Sequence, residues 1–321
     1  MSNLEADREI AEPAGVCDLV PTLERLEPRI VFLGPRQEVR RVLPNKERRL
    51  IGAWCFVDHY GPENITNEVG MRVPPHPHSG LQTVSWLLDG EISHRDSLGS
   101  DAVVVPGQLN VMTSGPGIAH SEESPPGHSA IMHGVQLWVA LPDEARQVAP
   151  RDFTQYSDLP VMERAGLRAT VVMGEFEGAV SPATSYTPIV GVELGVTGPV
   201  DLTLRPDFEY DVLALDAGVV VDGQQLALSE IAYVGRARET LAIGIASGEP
   251  VRALLLGGEP FAEELVMWWN FIGRSHDEIV QFRRIWNDGG EQFGEVIGYD
   301  GDRLVAPPMP NTRLKARPRH R

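Results

Sequence analysis

The chain has 321 residues, enough for two domains that each bury a core. Hydrophobic residues make up 42% and charged residues 23%, the balance of a folded globular chain rather than a disordered one. With 28 Lys and Arg against 45 Asp and Glu the net charge is −17, which repels phosphate backbones and anionic lipid and excludes nucleic-acid or membrane binding through the fold.

Residues 1–27 show no clear periodicity and read as an N-terminal arm. The arm opens MSNLEADREIAEPAG, acidic and polar, without the apolar stretch of a secretory signal. Cys17 and Cys55 are the two cysteines, too few and too scattered for a disulfide framework. No apolar run reaches the roughly 18 residues of a membrane span. The expected location is the cytoplasm.

Residues 28–145 carry short apolar runs broken by Gly, Pro, Asn and Asp, among them RIVFLG, AWCFVDHYG, QTVSWLLDGE and GVQLWVALP. These are strand signals at the spacing of an antiparallel sandwich or barrel. PDEARQ is a helix-capable stretch, and residues 146–166 read as a connector. A second β-module follows over 167–275. LLDGE…VVVPGQL in the first module and LALDAGVVVDGQQLAL in the second share an order of strand, turn, strand and Gly-Gln turn, a weak internal duplication. SHDEIVQFRRIW opens with a Ser-x-x-Glu capping box and carries apolar residues at 279, 282, 285 and 286, which predicts a short amphipathic helix. Residues 276–321 thus comprise this helix and a basic tail, Arg313, Lys315, Arg317, Arg319 and Arg321, expected to be a solvated terminus.

The modules differ in chemistry. Seven of nine histidines lie in the first and none in the second, so a metal site belongs to the first alone. Residues i and i+2 of a strand share a face, and Pro77 favours an extended His76, so His76 and His78 project together. His120 and Glu122 form a second such pair. Three imidazoles and a carboxylate around one point suit Fe(II), Mn, Ni, Cu(II) or Zn with coordination positions left open. A two-residue turn at Asp89-Gly90 would pair Ser85 with His94, and parity then turns His94 away from the metal. His59 is expected to anchor a loop, and His128 and His133 to be structural. Phosphate loops, nucleophile elbows and Cys-x-x-Cys pairs are absent from the sequence.

HPHSGLQTVSWLLDGEISHRDSLGSDAVVVPGQLNVMTSGPGIAHSEE, with DHYGP upstream and GVQLWVALP downstream, resembles the pirin family of bicupins. The resemblance is close over about residues 50–142 and extends less specifically to about 290. It implies an all-β fold of two cupin barrels face to face with short helices, one near the C-terminus. It also implies one mononuclear metal in the first barrel, iron foremost, with Mn, Ni, Co, Cu or Zn as other candidates. Its ligands would fall on His76, His78, His120 and Glu122. Pirin-like proteins have been associated with quercetin 2,3-dioxygenase activity, so the expected function is metal-dependent cleavage of a flavonol or similar aromatic enol by dioxygen. Glu122 would hold the metal or take the substrate's proton. Phe56, Trp86 and Met112 would be apolar walls. The alternative is a non-enzymatic, redox-sensing regulator with a protein partner. Gln82 stands where the family usually has Glu, and parity places it on the metal side; Asn110-Val111 precede Met112 where a Trp is frequent.

Overall fold

A computed structural model describes residues 23–33, 37–246 and 248–319. Cys17 and Arg321 lie outside them. Strand signals dominate the outcome: the described chain is nearly all β, with one α-helix near its end. The first half forms β1 (Leu23–Leu26), β2 (Arg29–Leu33), β3 (Gln37–Leu43), β4 (Trp54–Asn64), β5 (Arg72–His78) and β6 (Leu81–Asp89). It continues with β7 (Ile92–Asp96), β8 (Asp101–Val104), β9 (Leu109–Thr113), β10 (Ile118–Glu123), β11 (Ile131–Ala140) and β12 (Asp152–Tyr156). Two antiparallel sheets result, one in the order β12-β9-β6-β11-β4-β3-β2 and the other β5-β10-β7-β8.

The second half repeats this plan. An eight-stranded sheet is centred on Glu209–Ala214, Val251–Gly258 and Ile189–Val196, and a four-stranded sheet on Thr240–Ile245 and Val219–Val221. β1, on the expected arm, pairs with Ile231–Val234 and completes the edge of that larger sheet. The expected connector is likewise largely strand. β12 pairs with β9 of the first module, and Val161–Arg164 pairs with Leu167–Phe176 of the second. PDEARQ forms consecutive turns instead of a helix.

The large sheets of the two modules face one another, and the main core lies between them. Trp54, Val84, Trp86, Val135 and Leu137 from one side meet Ile189, Leu213, Ile231, Leu254 and Leu256 from the other. Trp54 crosses the seam most directly, since its indole N–H donates to the carbonyls of Val190 (3.2 Å) and Gly257 (3.1 Å). Gly191 makes room for it: a Cβ there would stand 3.2 Å from Trp54 Cζ2. A second cluster fills the interior of the C-terminal module.

The helix α1 (His276–Asn287) has the expected capping box between Ser275 and Glu278 and buries Ile279, Phe282 and Trp286. The tail after it is docked rather than frayed. Arg317 N donates to Leu265 O, and Arg49 N donates to Arg319 O. Arg319 Nη1 reaches Glu209 Oε1 at 2.6 Å, and that carboxylate is fully buried. An unpaired buried carboxylate is costly, so ion pairing overrides the ordinary tendency of a terminus to fray.

Candidate metal centre

β5 and β10 pair antiparallel, with His120 opposite His76 and Ile118 opposite His78. The register shifts between His120 and Glu122, because β5 carries an extra residue at its Pro74-Pro75 step. The three imidazoles converge. His78 Nε2 lies 3.1 Å from His120 Nε2, and one ring nitrogen from each of His76, His78 and His120 falls within 4.8 Å of the others. All three residues are buried. Burial lowers His76 to a pKa of about 4 and holds His78 and His120 well below the usual histidine range, so all three are neutral near pH 7.

Neutral imidazoles offer lone pairs, and the surroundings select which ones. His76 Nδ1 donates to the Pro74 carbonyl at 2.9 Å, leaving Nε2 toward the group. Behind His120 stands His94, its Nδ1 3.4 Å from His120 Nδ1, while His94 Nε2 lies 3.3 Å from Asp96 Oδ2. If His94 donates to Asp96 and accepts from His120, then His120 Nε2 is also free. Asp96 remains ionised: burial raises its pKa, but hydrogen bonds from His94, Ser100 and Leu98 outweigh burial and lower it. Phe153 stacks on the far face of His94 at 3.8 Å and fixes its plane.

His94 therefore does not face away. The expected β6–β7 hairpin does not form: β6 pairs with β9 and β11, whereas β7 pairs with β8 and β10, which sets His94 opposite Glu122. The local signal for it was His94-x-Asp96, a second-neighbour pair of the same kind as His120-x-Glu122. Parity also fails for Gln82. The chain turns a corner between sheets at Gly80, in a left-handed conformation (φ +71), so β6 restarts with its faces exchanged. Gln82 faces the second module, donating to Thr113 Oγ1 (3.0 Å) and Thr184 O (3.1 Å). Trp86, on the same face, belongs to the inter-module core. Met112 is buried opposite Thr83 and does not reach the cavity wall.

The other histidines take different places. His59 is on a strand and not in a loop, buried at the seam, with Nδ1 2.7 Å from Ser229 Oγ and Nε2 2.9 Å from His133 Nε2. His128 is exposed.

A cavity of 410 Å³ opens over the three histidines. Glu122 lines it, as do Phe56 and Trp138, which stack at 4.1 Å. Arg41 makes a two-pronged ion pair with Asp58 and lies over the Phe56 ring. Tyr60 contributes a buried hydroxyl without a hydrogen-bond partner; burial first, and the nearby Glu122 charge second, hold its pKa well above normal. Trp269, Asn270 and Leu304 reach in from the C-terminal end of the chain. Sequence reasoning missed these, because no local pattern links them to the histidines. The donor set fits a divalent transition metal: three convergent neutral imidazoles with a carboxylate lining the same cavity.

Residues 36–139 match the family model for pirin, and residues 189–294 match that for the pirin C-terminal cupin domain. A Pseudomonas aeruginosa protein provisionally named quercetin 2,3-dioxygenase is 44% identical over 90% of this chain and 91% of its own. The chain belongs to the pirin family. A pirin-like protein of Caulobacter vibrioides is 38% identical over 78% of this chain and 88% of its own. The crystal structure of a quercetin 2,3-dioxygenase from Acinetobacter baumannii aligns with a TM-score of 0.86 at 39% identity, covering 91% of this pirin and 97% of that chain. A bacterial pirin from Escherichia coli, solved in complex with nickel(II), aligns at 0.58 with 16% identity over 75% of this chain and 100% of that chain, and shares the fold.

In this pirin the His94–Asp96 pair gives a direct expectation. His94→Ala should weaken metal binding about 10–100-fold while leaving one metal per chain at saturation, as checked by chelator competition. Unchanged affinity would mean that His94 only packs.

Proposed function

We propose that this pirin is a mononuclear metal-dependent dioxygenase of the quercetinase type. It would cleave a flavonol or a similar aromatic enol with dioxygen and release carbon monoxide. The observation that carries this reading is the convergence of three neutral imidazoles, beside a carboxylate, under an aromatic-walled cavity. His76, His78, His120 and Glu122 would hold one divalent ion, iron foremost. Bound there, the ion would supply Lewis-acid polarisation of the substrate's enol oxygen and redox access to dioxygen.

The protein's own groups do the rest. Phe56 and Trp138 give the cavity an aromatic wall that would pack against an aromatic substrate. Met71, Val73 and Leu304 keep water from the remainder of the cavity. Besides helping to hold the ion, Glu122 would take the proton of the substrate's 3-hydroxyl on a carboxylate oxygen.

Burial raises Glu122 to a pKa of about 7 in the metal-free protein. A carboxyl with a raised pKa holds its proton below that value and must release it to become an anionic ligand. Metal affinity is therefore expected to rise from about pH 6 to about pH 8, with proton release on binding. His76 is already neutral across that window, since its pKa lies at about 4. Glu122→Gln should flatten the dependence in chelator titrations at several pH values.

The activity itself is tested by reconstituting the protein anaerobically with Fe(II), then adding quercetin and oxygen. Bleaching of the flavonol band with carbon monoxide release is the expected result. No turnover with Fe, Mn, Ni, Co or Cu would overturn the proposal.

A further inference from the structure

Strands Val266–Trp268 and Phe271–Gly273 form a hairpin with a two-residue turn, Trp269-Asn270. Trp269 takes a left-handed backbone, φ +53. The first central position of such a turn favours glycine, and a bulky aromatic there is strained. Burial does not explain the choice, because Trp269 is only half-buried. Its ring makes one close aromatic contact, edge-on to Phe271 at 5.5 Å.

The hairpin is tied to the ligand strand immediately after His78. Ser79 bridges Phe271, and Ile272 N donates to Ser79 O at 3.1 Å. Gly80 permits the approach, since a Cβ on it would stand 2.6 Å from Ile272 O. The strained turn is thus pinned beside the imidazoles, and Trp269 lines the same cavity as Phe56 and Trp138.

We infer that Trp269 is a substrate-positioning residue that selects flat aromatic enols over aliphatic ones. Its indole provides a wall against which the ring system packs, in addition to the Phe56–Trp138 stack. This rests on the cavity being the substrate site, as proposed above. The C-terminal end of the chain then has a role in recognition, although its module carries no metal-binding histidines.

The test compares wild type with Trp269→Gly and Trp269→Phe, each loaded with metal and titrated anaerobically with quercetin. Metal content and thermal midpoint are measured on the same samples. Trp269→Gly should weaken quercetin binding about tenfold or more, keep its metal and raise the midpoint, because glycine relieves the strained turn. Trp269→Phe should restore most of the binding. Unchanged quercetin affinity in Trp269→Gly overturns the inference. So does a lowered midpoint, which would make the indole a packing residue. Binding lost in Trp269→Gly by a wild type that binds but does not turn over quercetin supports the inference and removes the dioxygenase reading. A wild type that binds no quercetin overturns both.

Discussion

Replacing His120 with alanine is expected to reduce metal content from stoichiometric to trace. His120 supplies one of three convergent nitrogens and is the one backed by the His94–Asp96 relay. Removing an outer partner of a ligand typically costs about 10–100-fold in affinity, and removing the ligand itself costs more. Folding should survive. In the metal-free protein the three neutral imidazoles crowd together, with His78 Nε2 3.1 Å from His120 Nε2, and the deletion leaves no buried charge unpaired. Elemental analysis with far-UV circular dichroism checks both halves. A folded His120→Ala protein that keeps one metal per chain would falsify the ligand assignment.

Trp54→Ala is expected to have the largest effect on stability. Truncating a fully buried Trp costs about 3–5 kcal/mol, and here it also removes the indole's hydrogen bonds to the carbonyls of Val190 and Gly257. Those carbonyls belong to the second module, so both modules should respond together. Urea unfolding should give one transition for wild type and one, at lower urea, for the variant. Two separate transitions, with only the first module's shifted, would refute a core shared across the seam. Trp86→Ala should act in the same direction, since its ring lies in that core and not in the metal cavity.

These two residues mark the limits of reading from sequence. The His76/His78 and His120/Glu122 pairs were legible because second-neighbour alternation is a property of a single strand. The capping box of α1 was legible for the same reason, since all its partners lie within one helical turn. Parity failed once it was carried past Gly80, where the chain leaves one sheet for another. Gln82 and Trp86 accordingly face the seam. The Asp89-Gly90 turn predicts a hairpin that would turn His94 away, whereas the strands on either side of it join different sheets and bring His94 behind His120. Composition alone predicts a solvated basic tail; its docking depends on Glu209, which no local pattern connects to Arg319.

The sequence by itself determined the strand-rich architecture, the terminal helix, and the three histidines that converge on one point. Each rests on periodicity or spacing within one element, where backbone geometry leaves few alternatives. Only the tertiary structure decided what surrounds those residues. The placement of His94 and Asp96 behind His120, the Phe56–Trp138 wall and the seating of the Trp269 turn beside His78 arise from pairings between strands distant in sequence. Such pairings are selected by how two sheets bury their apolar faces against each other, a condition on the whole chain that no single stretch encodes.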